Sequence, residues 1–231
     1  MTRLSIVIFV VAFALAAIAT APLAFALRLT DAGDMGFGAA NVSGSVWNGQ
    51  IDNASLGGDR LGDVRASLNP VSLVTGVSRL RLQSNNGAAT LIEGRLHGFE
   101  AVTATVSLNQ VGFALPMEGQ LSFNDASLVF AGENCRTASG SVATDMFQRG
   151  FAGPALTGRL SCAGGQGVAR LAGKSENVEI AMTVRIRADG QYRLDMLIIA
   201  VKPSLQAMLA TAGFVQRGKG WERTEEGQLK F

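Results

Sequence analysis

The sequence predicts a mainly β protein: a curved, mostly antiparallel sheet domain behind one N-terminal transmembrane helix, with one short helix near the C-terminus. Three observations carry that prediction. From Leu4 to Leu27 no residue is charged, and Arg3 and Arg28 close the run. About 20 apolar residues cross a bilayer core as a helix, and backbone groups inside lipid must find internal partners, which a helix supplies. The remainder has 28 Gly, few aromatics and many Ser, Thr, Asn and Val, the composition of short strands joined by turns. Finally, Val102, Ala104, Val106 and Leu108 alternate with Thr103, Thr105, Ser107 and Asn109, the period of a half-buried strand.

The first segment is read as an uncleaved anchor over residues 1–27. The alternative is a signal peptide, because Ala24-Phe25-Ala26 has the A-x-A form. The apolar run exceeds the ~7–15 residues of a usual signal core, which favours the anchor. Arg3 and the α-amino group place the N-terminus in the cytoplasm, although Arg28 opposes them. Residues 28–40 form a connector broken by Asp31, Gly33, Asp34, Gly36 and Gly38. Residues 41–231 are read as one periplasmic β-domain, its compartment following from the anchor and the cysteines. Cys135 and Cys162 are the two cysteines. In an exported domain an even count reads as one disulfide; the alternative is two buried free thiols in a cytoplasmic domain.

Ordered structure begins at Val42–Ile51. Val64–Leu68 is a strand, after which Asn69 caps and Pro70 starts a turn or two of helix that Gly76 ends. Strands follow at Arg79–Gln83, Ala89–Leu96, Val102–Leu108, Gly119–Phe123, Ser127–Phe130 and Thr137–Thr144, with a helical turn expected over Asp145–Arg149. Further strands cover Ala155–Cys162 and Gly167–Gly173. Val178–Arg187 and Tyr192–Ile199 form a hairpin. A three-residue loop, Ala188–Gly190, pairs Ile186 with Tyr192, Val184 with Leu194, Met182 with Met196 and Ile180 with Ile198, so every pair is apolar. A one-residue slip would turn that face outward. Pro203 starts the one soluble helix of convincing pattern, with Leu205, Met208, Leu209 and Ala212 on one face and Gly213 at its end. The chain closes with Trp221–Arg223, a turn at Glu225–Gly227, and Gln228–Phe231. A strand running into Pro and a short helix stopped by Gly occurs twice, after Leu68 and after Val201.

Charge is sparse, at 16% of residues and a net +2, with no basic run or aromatic interleaving, so nucleic acid is not an expected partner. One His and two Cys cannot complete a zinc site, and no metal or cofactor is expected. His97 is the only histidine, it ends a strand, and no G-x-S-x-G elbow exists, so it is read as a surface residue. Gly167–Ser175 has five residues between its glycines where a phosphate loop needs four. Gly36-Phe37-Gly38 lacks the third glycine of a dinucleotide site. Glu222, Glu225 and Glu226 are read as a solvated turn. Nothing assembles an acid, a base and a nucleophile, so no catalytic residue is named and a noncatalytic protein is expected.

Gly44-Ser45-Val46-Trp47-Asn48-Gly49 resembles the Gly-Thr-Val-Trp-x-Gly stretch of the type II secretion system protein N family (GspN), with Ser45 where Thr is usual. Leu68-Asn69-Pro70 leading to Leu73 is similar to the family's Leu-x-Pro-x-x-Leu. Cys135 and Cys162, the latter after Gly158-Arg159-Leu160, resemble its recurrent cysteines, and Gly220-Trp221 with Gly227 resembles its ending. The resemblance spans nearly the whole chain and brings no catalytic residue. It implies a single-pass inner-membrane protein with a periplasmic β-domain, an accessory of protein export across the outer membrane, whose partners are other inner-membrane components of that apparatus. The rival from another class is an AsmA-like membrane-anchored β-protein that binds or passes lipid along an apolar groove, built on the faces of Val102–Leu108 and Val178–Ile198. An open groove leaves those faces accessible and a closed sheet buries them. Trp47 and Trp221 are expected to pack inside.

Overall fold

In the computed structural model, residues 2–29, 37–56, 59–107, 118–148, 151–200 and 202–229 are described. Strand pairing is antiparallel throughout, joined by turns in which glycine often takes the left-handed conformation. The chain divides into two compact units, Met1–Asn85 and Asn86–Phe231.

The first unit holds α1 (Thr2–Ala19), α2 (Leu23–Leu29), β1 (Phe37–Gly38), β2 (Asn41–Ser45), β3 (Asn48–Leu56), β4 (Asp59–Leu68), α3 (Pro70–Val74) and β5 (Val77–Ser84). Both β1 and β2 pair with β3, which pairs with β4, which pairs with β5. Alternate residues of β3 and β4 supply the core: Ile51, Ala54, Val64 and Ala66, closed by Leu23 of α2. Asn69 caps α3 as expected, its Oδ1 accepting the Val71 N–H at 3.0 Å, and Gly76 follows at φ 71°.

The continuous anchor helix expected from Leu4 to Leu27 is not found. Among the described residues no helix is long and apolar enough to cross a membrane. The 18 residues of α1 reach only about 27 Å at 1.5 Å each. Pro22 is the cause of the break. It offers no N–H to the helical ladder and disfavours helical backbone at Ala21. The chain turns there: Thr20 donates through Oγ1 to the Ala16 carbonyl at 2.8 Å, and Ala21 accepts the Val46 N–H at 3.0 Å. Of the expected connector, Asp31, Gly33, Asp34 and Gly36 lie outside the described residues. Phe37–Gly38 is already strand, paired with Ser55 and Leu56.

The second unit holds β6 (Gly87–Gly94), β7 (Leu96–Ser107), β8 (Glu118–Ala131), β9 (Asn134–Gln148), β10 (Phe151–Ala152), β11 (Leu156–Ala163), β12 (Gln166–Lys174), β13 (Val178–Ile186), β14 (Gln191–Ala200), α4 (Pro203–Thr211), β15 (Val215–Arg217) and β16 (Gly220–Gln228). Strand order is β6-β7-β8-β9-β11-β12-β13-β14-β16-β15, with β10 on β9. The β13–β14 register is the expected one, Ile186 opposite Tyr192 through Ile180 opposite Ile198, and Gly190 sits at φ 81°. The inward residues of β11 to β14 form the core with Leu205 and Leu209 of α4.

Three expectations are corrected here. Gly119–Phe123 and Ser127–Phe130 are one strand, β8, interrupted only by a bulge where Asp125 takes φ 49°. Asp145 is not in a helical turn: β9 continues through Gln148, because Asp145, Met146 and Phe147 pair with Gln120, Gly119 and Glu118. Arg149 lies outside the described residues, as does Leu108. Nor is there a turn at Glu225–Gly227. β16 runs unbroken, held along Trp221–Gln228 by β14.

Candidate functional site

In the first unit the expected motif residues gather at one end of the sheet. Ser45 and Asn48 face each other across the β2–β3 turn, which places Val46 and Trp47 at its tip. Gly44 takes φ 80°, and a side chain there would meet the Asn48 carbonyl. Gly49 allows a close approach instead. A Cβ on it would stand 2.4 Å from Leu23 Cδ2. The turn therefore receives α2: Pro22 bridges Ser45, and Leu23 is buried to 4% exposure. Leu68 then donates its N–H to the Val46 carbonyl at 2.9 Å, so Asn69, Pro70 and α3 start at the same end. The structure thus brings Gly44, Val46, Trp47, Gly49 and Pro70 together. Trp47 is half-buried there, not packed in the core.

In the second unit Cys135 and Cys162 form a disulfide with Cα atoms 5.6 Å apart. It ties the start of β9 to the end of β11, next to the Cys135 N–H donated to the Gly165 carbonyl at 2.7 Å. Trp221 is half-buried against the core. His97 lies within β7, not at a strand end, and stacks on Phe130 with ring centroids 5.7 Å apart.

Sequence reasoning missed two polar groups of this unit. On one face of β13–β14–β16, a groove of about 890 Å³ is lined by Arg185, Arg187, Arg193, Asp195 and Glu226, among others. Its charges answer one another. Asp195 accepts from Arg185, from Arg193 Nε at 3.1 Å and from Thr224 Oγ1 at 3.0 Å, while Arg193 also donates to Glu226 at 3.0 Å. Burial alone would raise the Asp195 carboxyl, but the hydrogen bonds from Thr224, Arg193 and Arg185 outweigh it and hold the group below its ordinary value.

On the opposite, core-facing side of β16 stand Arg223 and Glu225, their guanidinium and carboxylate 3.6 Å apart. The Glu225 side chain is only 11% exposed, so it is not the solvated residue expected, and Glu222 and Glu226 lie on the other face. Tyr192 donates to Glu225 at 3.2 Å. Burial, then the Glu225 charge, pushes its hydroxyl above the ordinary value. The alternation of Trp221, Arg223, Glu225 and Gly227 with Glu222, Thr224, Glu226 and Gln228 was the signal available for this. Among the described residues no group of three or more His, Cys, Asp or Glu is placed to hold a metal ion. The charges of the groove are paired with one another, and the motif turn offers a seat for α2.

A family model described as "Type II secretion system (T2SS), protein N" matches residues 35–224. The match takes in the motif turn, both cysteines and Trp221, and leaves α1 and α2 outside. No curated protein and no solved structure matches the chain.

Proposed function

Because the chain belongs to the type II secretion system protein N family, we propose that it is an accessory inner-membrane component of the type II secretion system, taking part in export across the outer membrane through contacts with other inner-membrane components of the apparatus. The observation that carries this is the reach of the family match, which runs through both β units. Its role is docking, not catalysis. The arginines and carboxylates of the groove are engaged with one another, which supports a recognition surface over a reacting centre.

Membrane attachment is supported by α1. Ile6, Val7, Ile8, Phe9, Val10 and Phe13 are all more than half exposed, an apolar surface that water disfavours and lipid accepts. The β units then stand on the periplasmic side of that membrane. The disulfide supports that oxidising compartment. Leu23 supports retention of the segment: cleavage after Ala26 would remove a residue of the first unit's core. The AsmA-like lipid-groove reading loses its main support, because Ile180, Met182, Val184, Leu194, Met196 and Ile198 are buried.

The test is in vivo crosslinking from the membrane of the native host, with mass spectrometry of captured partners. Secretion-platform proteins in the catch are the expected result. Co-purified phospholipid without those proteins would overturn the reading in favour of a lipid carrier.

A further inference from the structure

α3 has its polarity inside out. Ser72 is its buried residue, donating through Oγ to the Asn69 carbonyl at 2.8 Å. Val71, Leu73 and Val74 point outward at 73%, 41% and 89% exposure. The chain contains a second strand–Pro–helix–Gly unit for comparison. There α4 does the ordinary thing and buries Leu205 and Leu209 in its core. The outward aliphatic face of α3 is therefore not a consequence of that local design.

Its position says what covers it. Ala21 accepts from Val46, and Val46 accepts from Leu68. Each link is one backbone hydrogen bond, which sets neighbouring backbones about 5 Å apart, so Leu68 lies within about 10 Å of Ala21. α3 thus begins beside the point where α1 ends, at the same end of the first unit; the exposed large apolar residues of α1 lie further back along it, from Ile6 to Phe13. Phe25 of α2, also exposed, belongs to the same end.

We propose that the Val71, Leu73 and Val74 face of α3 seats in the lipid surface next to α1, as a second contact that fixes how the first unit stands on the membrane. Three aliphatic side chains on a capped, rigid turn suit shallow insertion at the headgroup–acyl boundary. The inference rests on the membrane attachment proposed above.

The test uses the full chain reconstituted in phosphatidylethanolamine–phosphatidylglycerol vesicles. An environment-sensitive fluorophore is placed on Val74→Cys or, as control, on Gln83→Cys, an exposed position toward the far end of β5. Cys135 and Cys162 are bonded to each other and do not take the label. Expected is blue-shifted emission at position 74, quenched severalfold more by brominated acyl chains than at position 83. Water-like emission at 74, in protein that the vesicles retain, would overturn this inference and leave the attachment standing. A blue shift without lipid quenching would overturn it too, in favour of a protein contact on α3. Failure of the vesicles to retain the protein would overturn both.

Discussion

The contact between Leu23 and Gly49 yields the sharpest prediction, because it is approached from both sides. Leu23 is one of five buried residues in the first unit's core. Trimming it to Ala removes most of its buried surface and leaves a cavity, which costs about 3 kcal/mol. For a unit of this size each kcal/mol shifts the midpoint by roughly 4–8 °C, so Leu23→Ala lowers it by roughly 12–24 °C. Gly49→Ala acts by crowding. Its Cβ would stand 2.4 Å from Leu23 Cδ2 and 2.9 Å from the Ser45 carbonyl oxygen, at a cost of about 2 kcal/mol. In the double variant Leu23 Cδ2 is gone and only the Ser45 and Leu23 Cβ contacts remain, so the second cost falls by about half. The two changes then couple by about 1 kcal/mol. The assay is thermal unfolding of the detergent-solubilised chain in a Trp221→Phe background, which leaves Trp47 as the only tryptophan and a reporter of the first unit. Additivity within about 0.5 kcal/mol, or an unchanged midpoint for Leu23→Ala, would refute the docking of α2 on the motif turn.

Replacing both Cys135 and Cys162 by Ala opens a link across 27 residues of sequence and lowers the stability of the second unit by about 3.5 kcal/mol in the chain-entropy model; denaturant unfolding checks it, and an unchanged midpoint refutes it. Asp195 is held below its ordinary value of 3.8 in the fold, so its contribution is present above about pH 4 and is lost as pH falls through the lowered folded value. Asp195→Asn is therefore less stable at neutral pH and has a shallower acid limb, read from unfolding midpoints across pH. Tyr192 is raised above 10.0, so its contribution is whole below about pH 10 and is lost as pH rises past it. Tyr192→Phe flattens the alkaline limb of the same series, and a limb as steep as that of the parent would refute the Tyr192–Glu225 contact.

How far the sequence was legible depended on whether the deciding force was local. The β13–β14 register could be read to the residue because one apolar face and one loop length fix it together. The Asn69 and Pro203 helix starts were likewise local. What escaped was decided by partners distant in sequence. Neither Asp145 to Phe147 nor Glu225 to Gly227 shows a strand's clean apolar alternation, yet each is held extended by a neighbouring strand, β8 or β14. Glu225 read as solvated because its stretch is polar; it faces the core because β16 inherits its facing from the register with Leu194. The apolar run at the N-terminus was legible as helix and illegible as a joint, since Pro22 breaks the helix only where the β2–β3 turn takes up its flanking backbone. The same distinction separates α3 from α4. Their sequences share a Pro start and a Gly stop, but only packing decides that Leu209 faces a core and Val74 faces outward. Gly49 therefore acts here through what it lets approach, α2, and Pro70 through where it starts α3.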